Sequence, residues 1–113
     1  MTVIVDWAGA SGQSYRYWAL ADTTRAGIQA VAGNYVFAKE VTPNQFQPLY
    51  FGQADDLQAR IPTHERMRDA IKLGATHVMA HSTQGGLEAR CDEERDLIAR
   101  WNPPMNVQHR VAS

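Results

Sequence analysis

Leu87, Cys91, Leu97, Ile98 and Trp101 recur with helical spacing near the end of the chain, and Asn102-Pro103-Pro104 closes the run. Such spacing gathers all five on one stripe of an α-helix, and a stripe of that kind must be buried against another element. The rest of the chain supplies β-prone partners. Val3-Ile4-Val5 and Tyr15-Arg16-Tyr17-Trp18 flank a Gly9-Ala10-Ser11-Gly12 turn and read as a hairpin. Asn34 to Val41 and Pro48 to Gly52 flank Thr42-Pro43-Asn44-Gln45 and read as a second one. Ala75 to Ala80 reads as a further strand. An amphipathic helix on antiparallel strands is an α+β domain.

Shorter helices are expected between these elements. Thr24 is placed to cap a short helical turn before Val31. Asp55 and Asp56 open a helix over 54–61 that Pro62 ends, and Thr63 is placed to cap the next. That next helix is expected to bury Met67, Ala70 and Ile71, to turn Arg66, Arg68 and Lys72 outward, and to stop near Gly74. The expected fold is therefore a three-stranded antiparallel sheet flanked by helices, with an extra N-terminal β-hairpin. Residues 1–27 form the hairpin extension and 28–113 the main body of one compact domain.

At 113 residues, 44% apolar and 20% charged, the chain has the size and composition of one folded domain. No window carries the 18 or more apolar residues of a membrane span, and the first residues lack the pattern of a secretory signal. The expected location is cytoplasmic. Cys91 is the only cysteine, which excludes an internal disulfide and a cysteine-based zinc knuckle. The net charge of −1, with 9 Arg and 2 Lys, is not the footprint of an avid duplex-DNA binder. Any nucleic-acid affinity must come from a local arginine patch, since guanidinium groups suit bidentate phosphate contacts, or from a partner.

One residue breaks the apolar stripe. Glu94 lies three residues after Cys91 and four before Ile98, on the inward face, whereas Asp92, Glu93 and Asp96 fall off it. Burying a carboxylate without partners costs several kcal/mol or raises its pKa. An inward Glu therefore pairs with an internal cation, sits at the stripe's rim, or serves as a metal ligand or general acid/base. Two tyrosines stand out similarly. If Val41 lies opposite Pro48, Tyr50 faces Lys39 and shares a sheet face with Tyr35, an arrangement that a one-residue slip would break. His77 and His81 alternate with Val78 and Ala80 and are expected on the strand's outer side, while Met67 and Met79 are expected in the core.

Gly33-Asn34-Tyr35 and Tyr50-Phe51-Gly52 resemble the paired tripeptides of the GIY-YIG nuclease superfamily. The likeness extends to Arg60 ten residues after Tyr50, to His64 fourteen after it, and to Glu94-Arg95-Asp96-Leu97-Ile98 followed by Trp101 to Asn106. It covers residues 33–106, with Asn34 and Phe51 standing where the family has Ile. The resemblance implies an endonuclease that hydrolyses DNA phosphodiesters, including branched or damaged DNA of repair and recombination. It implies Tyr35 as general base or water-positioning group, with Tyr50 beside it at the phosphate. Arg60 would stabilise phosphate charge, His64 would assist proton transfer or hold Tyr50, Glu94 would bind one Mg²⁺ or Mn²⁺, and Asn106 would orient the cluster. Two other classes compete. One is a non-catalytic nucleic-acid-binding or assembly module with the same fold. The other is an interaction protein that uses Trp7, Tyr15, Tyr17 and Trp18 of the first hairpin as a homo-oligomer or partner interface.

Overall fold

A computed structural model describes residues 2–106. Five strands, β1 (Ile4–Ala8), β2 (Ser14–Ala19), β3 (Gly33–Thr42), β4 (Gln45–Ala54) and β5 (His77–Ser82), form one antiparallel sheet in the order β1-β2-β5-β3-β4. The three strands expected from the sequence are its β5-β3-β4 part. The N-terminal hairpin is not an appendage, because β2 pairs with β5 through Trp18–Ala80 and Ala19–Met79 and continues the sheet.

Helices α1 (Leu57–Arg60), α2 (Met67–Lys72) and α3 (Gly86–Trp101) divide between the two faces. On one face Tyr35, Phe37, Leu49, Val78 and Ala80 pack with Leu57 and Ile61 at α1 and Ala70 of α2. On the other, Trp7, Tyr17, Val36, Ala38, Phe51 and Met79 pack with Leu97 of α3, and Ile98 and Trp101 lie against them. Strand alternation thus supplies two cores, each closed by helices. Trp7 and Tyr17 are wholly inside this second core, and Tyr15 donates to Asp96, so the first hairpin is occupied within its own chain. Trp18 keeps 44% of its surface exposed. Three hydrogen bonds, from the Ser11 amide, the Ser11 hydroxyl and the Tyr15 hydroxyl, latch the hairpin to the Asp96 carboxylate of α3. They hold that carboxyl below its usual pKa range, the Ser11 hydroxyl most of all.

The β3–β4 pairing differs from the expected register. Phe37, not Lys39, lies opposite Tyr50, because the turn closes on Pro43 and Asn44, with Asn44 at φ 64°, and Phe46 and Gln47 remain in the strand. A break in register at Phe37/Ala38, beside Pro48, absorbs the remainder. The displacement is two residues, which preserves the face, so Tyr35 and Tyr50 still lie together with ring centroids 6.3 Å apart.

Local details depart from expectation where polar partners intervene. Asp56 caps α1 by accepting from the Gln58 and Ala59 amides. Thr63 does not cap α2; its hydroxyl donates to the Ala59 carbonyl, and the Arg66 amide ahead of α2 is bound by His64 Nδ1. Thr24 precedes a 3₁₀ turn at Arg25–Gly27 without capping it, and its amide and hydroxyl donate to Asp22 instead. Ile71 is 61% exposed, since Ala70 takes the inward position on the short α2.

Candidate active site

The site is built where the open edge of β4 meets α1 from one face and α3 from the other. Gly33 and Gly52 explain why this edge can form. A Cβ on Gly33 would run into the His81 carbonyl of β5, and one on Gly52 would overlap the end of the Tyr35 ring. Tyr35 and Gly52 are direct cross-strand partners, so the glycine leaves room for the phenol to lie across β4. Each tripeptide glycine thus answers a specific contact.

His64 organises the tyrosines. It is buried, with its ring packed edge-on against Tyr35, Phe37 and Tyr50. Its Nδ1 accepts the Arg66 backbone N–H at 3.0 Å, so in the neutral ring the proton resides on Nε2, which lies 2.8 Å from the Tyr35 hydroxyl oxygen. His64 is therefore the donor to Tyr35, and the phenol's own proton is free to point elsewhere. Burial, reinforced by the Arg60 charge, lowers the His64 pKa to about 4.

That shift has a stability consequence. The unfolded chain takes up a proton near pH 6.5 and the folded one only near 4, so the stabilisation is complete above 6.5 and is lost as pH falls through that window. Between pH 7 and 4.5 the wild type is expected to lose about 2 kcal/mol more unfolding free energy than His64→Gln. Denaturant titration at the two pH values measures this, and equal losses would show that His64 is not held neutral.

Arg60 and His64 do not share a helix face, because α1 ends at Arg60 and the chain turns through Pro62. They approach Tyr35 separately. Arg60 makes a bidentate ion pair with Glu65 at 2.6 and 3.1 Å, which pulls the Glu65 carboxyl down to about 2. Its charge also reaches the Tyr35 phenol and lowers its pKa, but burial dominates and leaves Tyr35 well above the ordinary phenol value. Tyr50 is raised too, by burial first and the Glu94 charge second. Both phenols are protonated at neutral pH as the chain stands.

Glu94 is half-buried on α3, and its charge acts on both Tyr35 and Tyr50. Burial raises its pKa, only Arg95 opposes the rise, and no described residue donates a hydrogen bond to it. The expected inward stripe is turned, however. Arg90, Glu93 and Leu97 are the buried residues of α3, whereas Leu87 is 59% exposed and Cys91 is half-buried. Glu93, expected off the stripe, accepts from Tyr17 at 2.7 Å and contacts His81 Nε2 at 2.6 Å. His81 accordingly lies in the α3 interface, tilted on Tyr17, and His77 packs edge-on against Phe46. The strand face they share with Met79 is thus a packed face and not an open outer side, with α3 over His81 and Phe46 against a half-buried His77.

Asn106 stands apart from the phenols. Its amide accepts from the Phe51 N–H at 2.8 Å and donates to the Phe51 carbonyl at 3.0 Å, satisfying an edge-strand residue next to Tyr50. It positions β4. Asn34 plays a matching part on the other side, accepting from Thr83 and donating to the Arg90 carbonyl in the turn of α3 that precedes Glu94.

Tyr35, Tyr50, His64, Arg60 and Glu94 are thus drawn to one edge, with Asn106 behind it. Arg90 and Glu65 escaped the sequence reading, although Arg90 stands one helical turn before Glu94 and so on the same face. Among the described residues no group of three or more His, Cys, Asp or Glu forms a metal cage, and no helix is long and apolar enough to cross a membrane. A Glu94 carboxylate without donors among the described residues suits a hard cation that keeps most of its water. No protein-family model, curated protein or solved structure matches this chain.

Proposed function

We propose that this chain is a divalent-metal-dependent endonuclease that hydrolyses DNA phosphodiesters, a small member of the GIY-YIG type. The observation that carries the reading is a Tyr35 hydroxyl held by His64 Nε2–H at 2.8 Å while the charges of Arg60 and Glu94 both bear on it. Phosphodiester hydrolysis requires a positioned water, neutralisation of charge on the non-bridging oxygens and help for the departing oxygen. A Mg²⁺ or Mn²⁺ ion at Glu94 would supply positive charge to the phosphate and lower the pKa of water beside it.

The protein's own groups divide the remaining work. The His64 Nε2–H fixes the Tyr35 oxygen and would stabilise a phenolate there. Tyr35, protonated at rest, orients the attacking water through its free O–H and becomes a base only when added positive charge offsets its burial. Tyr50 borders the same space. The bidentate pair with Glu65 uses two of the five guanidinium donors of Arg60, which leaves others for phosphate oxygens. Asn106 keeps Tyr50 in place through Phe51 and touches no reacting atom.

A second reading, a non-catalytic nucleic-acid-binding module, is favoured by the raised phenol pKa values and by the engagement of Arg60 with Glu65. Purified protein with Mg²⁺ or Mn²⁺, offered plasmid, single-stranded and branched DNA, separates the two. Cleavage of at least one substrate to 5′-phosphate and 3′-hydroxyl ends is expected. Intact DNA in every lane, with binding retained, would establish the second reading instead.

A further inference from the structure

Beside the tyrosines, α1 and α3 enclose a groove of about 480 Å³ along the β4 edge, lined among others by Gln53, Arg60, Leu87 and Arg90. Arg90 is the unusual member. It is only 7% exposed, yet no carboxylate among the described residues pairs with it; its Nε donates to the Gln53 side chain at 2.9 Å. Buried arginines are ordinarily paired, because an uncompensated charge is costly to remove from water. Asp55 and Asp56 also line the groove without forming a salt bridge to either arginine, and one Asp56 oxygen is committed to capping α1. The stem of Arg90 is therefore buried while its two terminal guanidinium nitrogens, without a protein partner among the described residues, stay open to the groove and are free to offer donors to an anion.

The position along α3 indicates which anion. Arg90 precedes Glu94 by four residues, about one helical turn, on the same face, a separation of about 6 Å along the axis. This is comparable with the step between neighbouring phosphates of a strand. The groove's rim is apolar at Leu87, Ala54 and Ala59, which suits a sugar or base better than a free inorganic ion.

We propose that Arg90 binds a phosphodiester of a single nucleic-acid strand adjacent to the scissile one, so that the Arg60–Arg90 groove sets the path of the strand past the tyrosines. The assignment of one phosphate as scissile rests on the nuclease reading; binding of the strand by Arg90 does not.

The test is fluorescence anisotropy with a labelled single-stranded oligonucleotide in EDTA, across a range of salt concentrations. Arg90→Met removes the charge while keeping much of the side-chain volume. Its affinity is expected to fall about 5–20-fold at low salt, and the slope of log K against log salt to shrink by about 0.7 to 1. Leu87→Glu places a negative charge at the exposed rim without disturbing the core, so it is expected to weaken binding similarly and keeps the test open if Arg90→Met fails to fold. The proposal is overturned if the wild type does not bind the oligonucleotide, or if the folded variants bind with unchanged affinity and slope. Equal competition by inorganic phosphate would also overturn it, by assigning the groove to a free anion. Without metal no cutting occurs, so a chain that never cleaves DNA yet loses affinity and slope in Arg90→Met keeps this inference and sinks the nuclease reading. Cleavage that persists with unchanged binding in both variants does the reverse.

Discussion

Glu94→Gln is expected to abolish cleavage while making the folded protein more stable. The two halves share one cause. Glu94 is half-buried with no described hydrogen-bond donor, and burial holds its pKa above the normal carboxyl value. A carboxyl with a raised folded pKa favours folding when protonated, below its unfolded pKa, and that contribution is lost as pH rises through the folded pKa. At neutral pH the charged form therefore opposes folding, and a neutral amide removes the opposition, with an expected gain of up to about 1 kcal/mol. The same substitution removes the anion that would hold the metal ion, so cleavage should fall by at least about 10²–10³-fold, the scale seen when one group acting on transition-state charge is deleted. Glu93→Gln is the control. Its carboxylate receives the Tyr17 hydroxyl at 2.7 Å and contacts His81 at 2.6 Å, so the amide should cost about 1–3 kcal/mol. Thermal melts and cleavage rates of the two variants check the contrast. A Glu94→Gln protein that loses stability as Glu93→Gln does would mark Glu94 as an ordinary structural carboxylate.

Gly52→Ala is expected to damage the site more than any change of similar size. The new methyl would occupy the space of the Tyr35 ring end, and Tyr35 is nearly fully buried between β4, Phe37 and His64. Such overpacking typically costs about 1–3 kcal/mol. The ring has to shift, which stretches its 2.8 Å contact with His64. A displacement on the order of 1 Å at a reacting group can lower a rate about 10²-fold. Chemical denaturation and turnover measured on the same preparation test this. Unchanged turnover in a folded Gly52→Ala protein would mean that Tyr35 has no part in the chemistry. The clash does not carry over to Gly12, where nothing lies within reach of an added Cβ and the glycine is needed instead for its φ of 90°.

The sequence made the backbone plan readable and left much of the polar wiring hidden. Both hairpins, the third strand and the final helix follow from alternation, turn residues and helical spacing. The shared face of Tyr35 and Tyr50 survived a register error because period-two alternation forgives a displacement of two residues. The rotation of α3 was not readable from its apolar residues. Arg90 and Glu93 turn inward because Gln53, Tyr17 and His81, from three other strands, offer them partners. Those partnerships span 12 to 76 residues of sequence and leave no local periodic signal. His64 shows the same limit. The family resemblance singled it out, but its direction as donor to Tyr35 depends on a backbone amide two residues away. Asn106 follows from the same resemblance, whereas its contact with Phe51 depends on β4 being the sheet edge.

The proposed convergence of Tyr35, Tyr50, Arg60 and Glu94 on one ion is tested most directly by diffraction from crystals holding Mn²⁺, measured at the manganese absorption edge. The expected result is an anomalous peak about 2.0–2.2 Å from a Glu94 carboxylate oxygen, the range of hard-cation coordination, with water completing the shell and both phenols facing it. No peak at Glu94 under saturating Mn²⁺, or a peak confined to Glu93 and His81, would contradict it.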